Sequence, residues 1–229
     1  MLGLFGVRGA SAAPAGGSVQ LVGFDDASGK FVVQPEAARL LRGLRGDVAV
    51  VAVCGRSRMG KSTLLNQLVA RLPAAGNSQK GFGVGGTHKP CTKGLWMWRT
   101  PIPHVQSDGT SVSLLLVDCE GTDAYDQTAD YSTQIFALAV LMSSLLIYNQ
   151  MGPIDESSID RLATACGYAQ RICEKAACGG GREAASELSP SFLWLLRDFH
   201  LQLSDGGRAI SPKDYMEQAL SDSGGDGVG

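Results

Sequence analysis

The residues with the plainest chemical meaning stand in one run, Gly55-Arg56-Ser57-Arg58-Met59-Gly60-Lys61-Ser62, followed by Thr63. The spacing G-x-x-x-x-G-K-S suits a loop that wraps a phosphate chain. Its glycines let backbone N–H groups turn inward, and a helix opening near Lys61 adds its positive dipole end. Lys61 then brings a point charge to the β- and γ-phosphates, and the Ser62 hydroxyl is a ligand for Mg²⁺. The bland alternative is a glycine-rich surface turn, which gives no reason for a lysine and a serine at the last two positions.

Phosphoryl transfer also needs a carboxylate beside the metal. Asp118 ends the apolar run Leu114 to Val117, and Asp118-Cys119-Glu120-Gly121 offers a metal-side acid, a second acid and a glycine whose N–H can approach a terminal phosphate. Taken alone, D-x-E-G reads equally as a plain turn. Thr92, within Lys89-Pro90-Cys91-Thr92-Lys93-Gly94, falls in an irregular segment. Its hydroxyl can face Mg²⁺ and its backbone the γ-phosphate, in a switch that orders around triphosphate. Without its companions it is a solvated loop threonine. Arg197-Asp198 follows the apolar run Phe192 to Leu196. An aspartate there accepts N–H bonds from N1 and the exocyclic amine of guanine, which adenine cannot offer at N1. An isolated Arg-Asp pair is more often a surface ion pair.

These groups need a scaffold that gathers strand ends. Val19 to Gly23 and Lys30 to Val33 predict two strands, and Pro35 opens a helix through Leu44. Val48 to Cys54 predicts a buried strand, followed by a helix with Leu64, Leu65, Leu68 and Leu72 on one face. Further strands are predicted at Leu95 to Trp98, Ser111 to Val117, Ser144 to Tyr148 and, buried, Phe192 to Leu196. Further helices are predicted at Thr133 to Leu141, Pro153 to about Glu174, and Pro212 to Leu220 capped by Ser211. The alternation predicts an α/β fold of the P-loop NTPase class, with a mostly parallel central sheet flanked by helices. It spans residues 18–220, between a disordered leader, Met1 to Gly17, and a disordered tail, Ser221 to Gly229, with a flexible loop at Gly179 to Gly181.

Composition sets the class. With 229 residues, 44% apolar and 18% charged, the chain can bury one substantial core. Twenty basic against 22 acidic residues leave a net charge of -2, so no overall field draws it to nucleic acid or an acidic membrane. Six cysteines without zinc-ligand spacing read as reduced thiols of a cytoplasmic protein, with an organellar address in the acid-free leader as the weaker alternative. The apolar run Ile135 to Tyr148 is broken by Ser143-Ser144 and falls short of the ~20 residues a membrane span needs.

Taken together, Gly55 to Ser62, Gly81-Phe82-Gly83, Thr92 to Trp98, Asp118 to Gly121, Ile135 to Leu141 and Trp194 to Phe199 resemble the GTPase domain of guanylate-binding proteins, large GTPases of the dynamin superfamily. The stretch Thr87 to Thr92 resembles the plant and algal branch. The resemblance implies binding of GTP or GDP, with GTP as substrate and Mg²⁺ as cofactor, and a homodimer formed through GTP-bound GTPase domains that speeds hydrolysis. It implies nucleotide contacts from Gly55 through Thr63 together with Thr92, Asp118, Gly121, Arg197 and Asp198. Arg58 would swing onto the phosphates as a built-in finger, and Lys61, Thr92 and Glu120 would complete the catalytic set. Ser62 and Thr92 would ligate Mg²⁺, with Asp118 acting through water, and Glu120 would help relay the attacking water's proton.

Two departures shape the expectation. Pro90 stands where better-known animal members carry a serine that orients water, and proline has neither hydroxyl nor N–H. The sequence also stops before the last strand and helix of such a domain, so the expected chain is incomplete, with any membrane association left to missing regions. A GTP-binding switch with little turnover is therefore the alternative to a hydrolase. A P-loop kinase is the third reading, and the arginine-rich lid it requires is not evident.

Overall fold

The computed structural model describes residues 17–72, 81–84, 94–122, 128–176 and 189–222. In chain order the elements are β1 (Ser18–Asp25), β2 (Lys30–Val33), α1 (Pro35–Arg42), β3 (Asp47–Cys54), α2 (Lys61–Arg71), β4 (Leu95–Trp98), β5 (Ile102–Val105), β6 (Ser111–Cys119), α3 (Ala129–Met142), β7 (Leu145–Met151), α4 (Glu156–Ala176), β8 (Ser191–Arg197), β9 (Ser204–Asp205), β10 (Arg208–Ala209) and α5 (Pro212–Asp222). The main sheet runs β2-β1-β4-β6-β3-β7-β8, with β5 beside β6. Its functional half, β6, β3, β7 and β8, is parallel, as the alternation of strands and helices predicts. An antiparallel wing of β4, β1 and β2 extends it, which the sequence pattern did not separate from the parallel strands.

Alternate side chains of the central strands feed two apolar layers, as the two-residue period of a strand requires. Ala52, Cys54, Val117, Cys119, Leu146 and Tyr148 join α1, α3 and α4 on one face. Val53, Leu116 and Ile147 meet Leu65 and Val69 of α2 on the other. Phe82 plugs this second layer against Trp98, its backbone clasped by both side-chain ends of Asn66, so the Gly81-Phe82-Gly83 motif serves packing.

Several boundaries differ from the sequence expectation for identifiable reasons. α3 begins four residues before Thr133 because Thr128 caps it, its hydroxyl accepting from the Tyr131 N–H at 3.2 Å. α4 begins at Glu156 rather than Pro153, since the Asp155 carboxylate accepts from the Ser158 N–H at 2.7 Å. β5 was not expected; it pairs only with β6 among the described residues, the kind of edge position where a proline such as Pro103 is tolerated. β8 is not the buried strand expected: Phe192 and Leu193 are 40% and 46% exposed, because β7 is its only sheet partner among the described residues. α5 has the expected cap, with Ser211 and Asp214 exchanging bonds at 3.1 and 2.9 Å, and it runs to Asp222, two residues into the expected tail. The rest of that tail, residues 1–16 and the Gly179 to Gly181 loop lie outside the described residues.

Candidate functional site

The parallel strands β6, β3, β7 and β8 end side by side and present Asp118, Gly55, Asn149 and Arg197 along one edge of the sheet. In open α/β sheets this is the edge where ligands bind. β3 enters the loop through Gly55, whose φ of 136° only glycine adopts freely and where a Cβ would overlap the Asn149 carbonyl oxygen.

The first half of the loop is stitched to the segment after β6 by backbone bonds. The Ser57 N–H donates to the Thr122 carbonyl at 2.8 Å, and the Thr122 N–H to the Gly55 carbonyl at 3.3 Å. Gly121 packs directly on Ser57, leaving no room for a Cβ. The crest is held differently. Arg58 and Gly60 both sit in the left-handed region, at φ 65° and 73°, and the Met59 carbonyl between them accepts from Asn149 Nδ2 at 2.8 Å and from an Arg197 guanidinium N–H. Arg58 itself is exposed, as is Arg56. α2 then begins at Lys61, directly after Gly60, so its first N–H groups point into the loop.

Lys61 is 6% exposed and donates from Nζ to the Arg56 carbonyl at 2.9 Å, which seats the ammonium inside the loop. Burial pushes its pKa down, partly opposed by the Asp118 carboxylate. Asp118, 1% exposed, has its pKa pushed up to about 6 by burial, against the pull of the Ser62 hydroxyl and Lys61. Ser62 Oγ donates to Asp118 Oδ2 at 2.5 Å, while Asp118 Oδ1 is buried without a hydrogen-bond partner among the described residues. A buried, unpartnered carboxylate oxygen beside a hydroxyl is an all-oxygen corner that suits a hard cation such as Mg²⁺.

Glu120 also ties neighbouring elements together. Its Oε2 accepts from the Gly94 N–H at 2.5 Å and the Tyr131 O–H at 2.6 Å, tying the start of β4 and α3 to the end of β6. Asp198, immediately after β8, is exposed with φ 52°. Thr92 and Pro90 lie outside the described residues. The structure thus brings together Gly55 through Ser62, Asp118, Gly121 and Arg197, with Thr63 exposed on the first turn of α2. Asn149 escaped the sequence reading. A polar pair, Asn149-Gln150, at the carboxyl end of an apolar strand was the available signal. The buried Cys54 and Cys119 thiols, 3.0 Å apart beneath the loop, were likewise unforeseen, and burial pushes the Cys119 thiol well up.

A strand, a G-x-x-x-x-G-K-S loop and a helix on a parallel sheet, with an acid at the end of the next strand, define a P-loop nucleotide-binding domain. The family described as "Guanylate-binding protein, N-terminal domain" matches residues 28–227. Human guanylate-binding protein 2 is 37% identical over 201 residues, covering 86% of this chain and 32% of that protein. Mouse guanylate-binding protein 5 is 37% identical over 198 residues, covering 84% and 32%, and human guanylate-binding protein 1 is 32% identical over 203 residues, covering 86% and 32%. The chain belongs to the guanylate-binding protein family, and it spans about a third of the length of these relatives.

Proposed function

We propose that this domain binds GTP with Mg²⁺ and hydrolyses it by in-line attack of water on the γ-phosphate. The observation that carries the reading is the joined arrangement of a buried lysine in the loop, a serine–aspartate oxygen corner beside it, and an exposed arginine at the crest. Bound between Ser62, Thr92 and, through water, Asp118, the metal would neutralise charge on the β- and γ-oxygens. Lys61 and the inward N–H groups of the loop hold and orient the phosphates, and Gly121 gives the γ-phosphate side a backbone that can come close. Arg58 folds over the leaving phosphate oxygens to offset the charge that builds there. Thr92 closes the metal side when GTP is in place. Asp198 accepts from guanine and sets the base preference.

Glu120 takes a changed part in this reading. With the Gly94 N–H and Tyr131 O–H on one carboxylate oxygen, it serves first to anchor the segment leading back from Thr92, and any hold on water comes through that anchor. Pairing of two GTP-bound domains is the further proposal, and it makes turnover rise with protein concentration. A second reading, a switch that binds GTP and turns over little, is favoured by Pro90, which cannot orient water by hydroxyl or N–H.

Titrating the protein with GTP and with ATP, each with Mg²⁺, tests base choice. The account expects GTP to bind more tightly and Asp198→Ala to erase the preference. Preference for ATP would contradict the role given to Asp198 and favour a kinase-like domain. Hydrolysis of bound GTP then separates the hydrolase from the switch.

A further inference from the structure

The crest of the phosphate loop presents a conformational problem. Arg58 is not glycine, yet its φ is 65°, and Gly60, two residues on, is at 73°. Left-handed backbone at a long side chain is disfavoured and persists only where its surroundings impose it. Met59 is the one residue between the two bends, and its carbonyl, in the peptide that enters Gly60, is gripped from outside the loop by Asn149 Nδ2 at 2.8 Å and by Arg197.

Asn149 is fully buried at the end of β7. A carbonyl only accepts, so the side-chain NH₂ must face Met59, and Oδ1 is left without a hydrogen-bond partner among the described residues. That is a poor use of a buried position for stability alone, since an apolar side chain of the same size would carry no unpaired oxygen. The backbone carbonyl of the same residue abuts Gly55, so the end of β7 contacts the loop at its first residue and at its crest. Lys61, by contrast, is seated through the Arg56 carbonyl, without Asn149.

We propose that Asn149 is a positioning residue for hydrolysis: by holding the Met59 carbonyl, it fixes the left-handed turn from which Arg58 reaches the phosphates, while the grip on the nucleotide is set elsewhere in the loop. This rests on the reading that Arg58 acts on the phosphates. Without the Asn149 donor the Met59 carbonyl is held by Arg197 alone, so the crest loosens, Arg58 relaxes toward ordinary backbone and its guanidinium loses its aim. Because Arg197 still limits how far the planar Met59–Gly60 peptide can tilt, its Gly60 N–H keeps facing inward, and ground-state contacts through Lys61 and the N–H groups at the start of α2 are retained.

The test is single-turnover GTP hydrolysis with Asn149→Leu, Arg58→Ala and the double variant, alongside affinities for GDP and for GDP with aluminium fluoride, which imitates the transferring phosphoryl group. Asn149→Leu is expected to slow hydrolysis roughly 10- to 100-fold, the scale of a misplacement of about 1 Å. Affinity for the aluminium fluoride complex should fall in parallel while GDP affinity stays within about threefold, less than the ~1.4 kcal/mol of a tenfold change. In the Arg58→Ala background the added loss should shrink to less than about threefold, because there is no finger left to misplace. A purely structural role would instead weaken GDP and add its full loss in that background, and either result overturns the proposal. If Asn149→Leu does not fold, Asn149→Asp keeps the shape and sets a carboxylate oxygen against the Met59 carbonyl; wild-type hydrolysis in it would equally overturn the proposal. An Arg58→Ala protein as fast as wild type removes the reading that Arg58 acts on the phosphates and this inference with it. A slow Arg58→Ala protein with fully additive Asn149→Leu removes this inference alone.

Discussion

The two halves of the phosphate loop are secured by different means. Gly55 to Ser57 are joined to Gly121 and Thr122 by main-chain bonds and by a contact too close for any Cβ. Arg58 to Gly60 hang from two side chains, Asn149 and Arg197, contributed by the next strands over. The first half therefore depends on the absence of side chains and the second on the presence of particular ones. Under the proposed function, the backbone stitch would fix where the phosphates sit and the side-chain hold where the arginine points. Binding and catalysis would then be open to separate disruption within a single eight-residue loop.

The largest effect should come from breaking the stitched half. Gly121→Ala forces a Cβ onto the Ser57 backbone, and because backbone cannot step aside as a side-chain tip can, the variant should lose about 3 kcal/mol of stability. Urea unfolding reads this directly, and nucleotide affinity should fall with it. A loss below about 0.5 kcal/mol would show that the two segments are not locked together.

A smaller effect, of opposite sign, is expected at the metal corner. The Asp118 pKa rises from 3.8 to about 6 on folding, so the folded protein favours the protonated acid. Its contribution to stability is whole below pH ~4 and is lost as pH climbs through ~6, because the unfolded chain ionises first. Asp118→Asn should therefore stabilise the nucleotide-free protein at pH 7.5 by about 2 to 3 kcal/mol and flatten this part of its pH dependence. The same change should remove the gain that Mg²⁺ gives to GTP binding. Thermal melts at pH 4.5 and 7.5, with and without Mg²⁺–GTP, separate the two effects. A destabilised Asp118→Asn protein at pH 7.5 would mean that the carboxylate is held by more than Ser62 and Lys61.

Features encoded locally were legible in the sequence. The loop motif, the strand before it, the Ser211 cap and the acid at Asp118 each announce themselves within a few residues, because their physics acts over a single turn or strand end. Position in the sheet was harder to read. The same apolar run that predicts a buried strand at Phe192 to Leu196 forms a half-exposed strand with β7 as its one sheet partner among the described residues, since burial depends on which strands lie on either side. The partner of Asn149 was hidden for the same reason: the polar pair Asn149-Gln150 marks a strand end, but 90 residues separate Asn149 from Met59, and nothing near it in the chain reveals that β7 lies beside β3. Glu120 was recognised as part of the site, but its bonds to Gly94 and Tyr131, 26 and 11 residues away, come only with the fold.

The claim on which the rest depends is that Arg58 drives hydrolysis and does not merely edge the site. Single-turnover hydrolysis of saturating Mg²⁺–GTP by the wild-type chain and by Arg58→Ala measures this most directly. Fingers of this kind are worth about 10³- to 10⁵-fold, so the account predicts a fall on that scale with GTP affinity nearly unchanged. Equal rates in the two proteins would contradict it, and equally slow rates would leave a guanine-nucleotide switch in place of an enzyme.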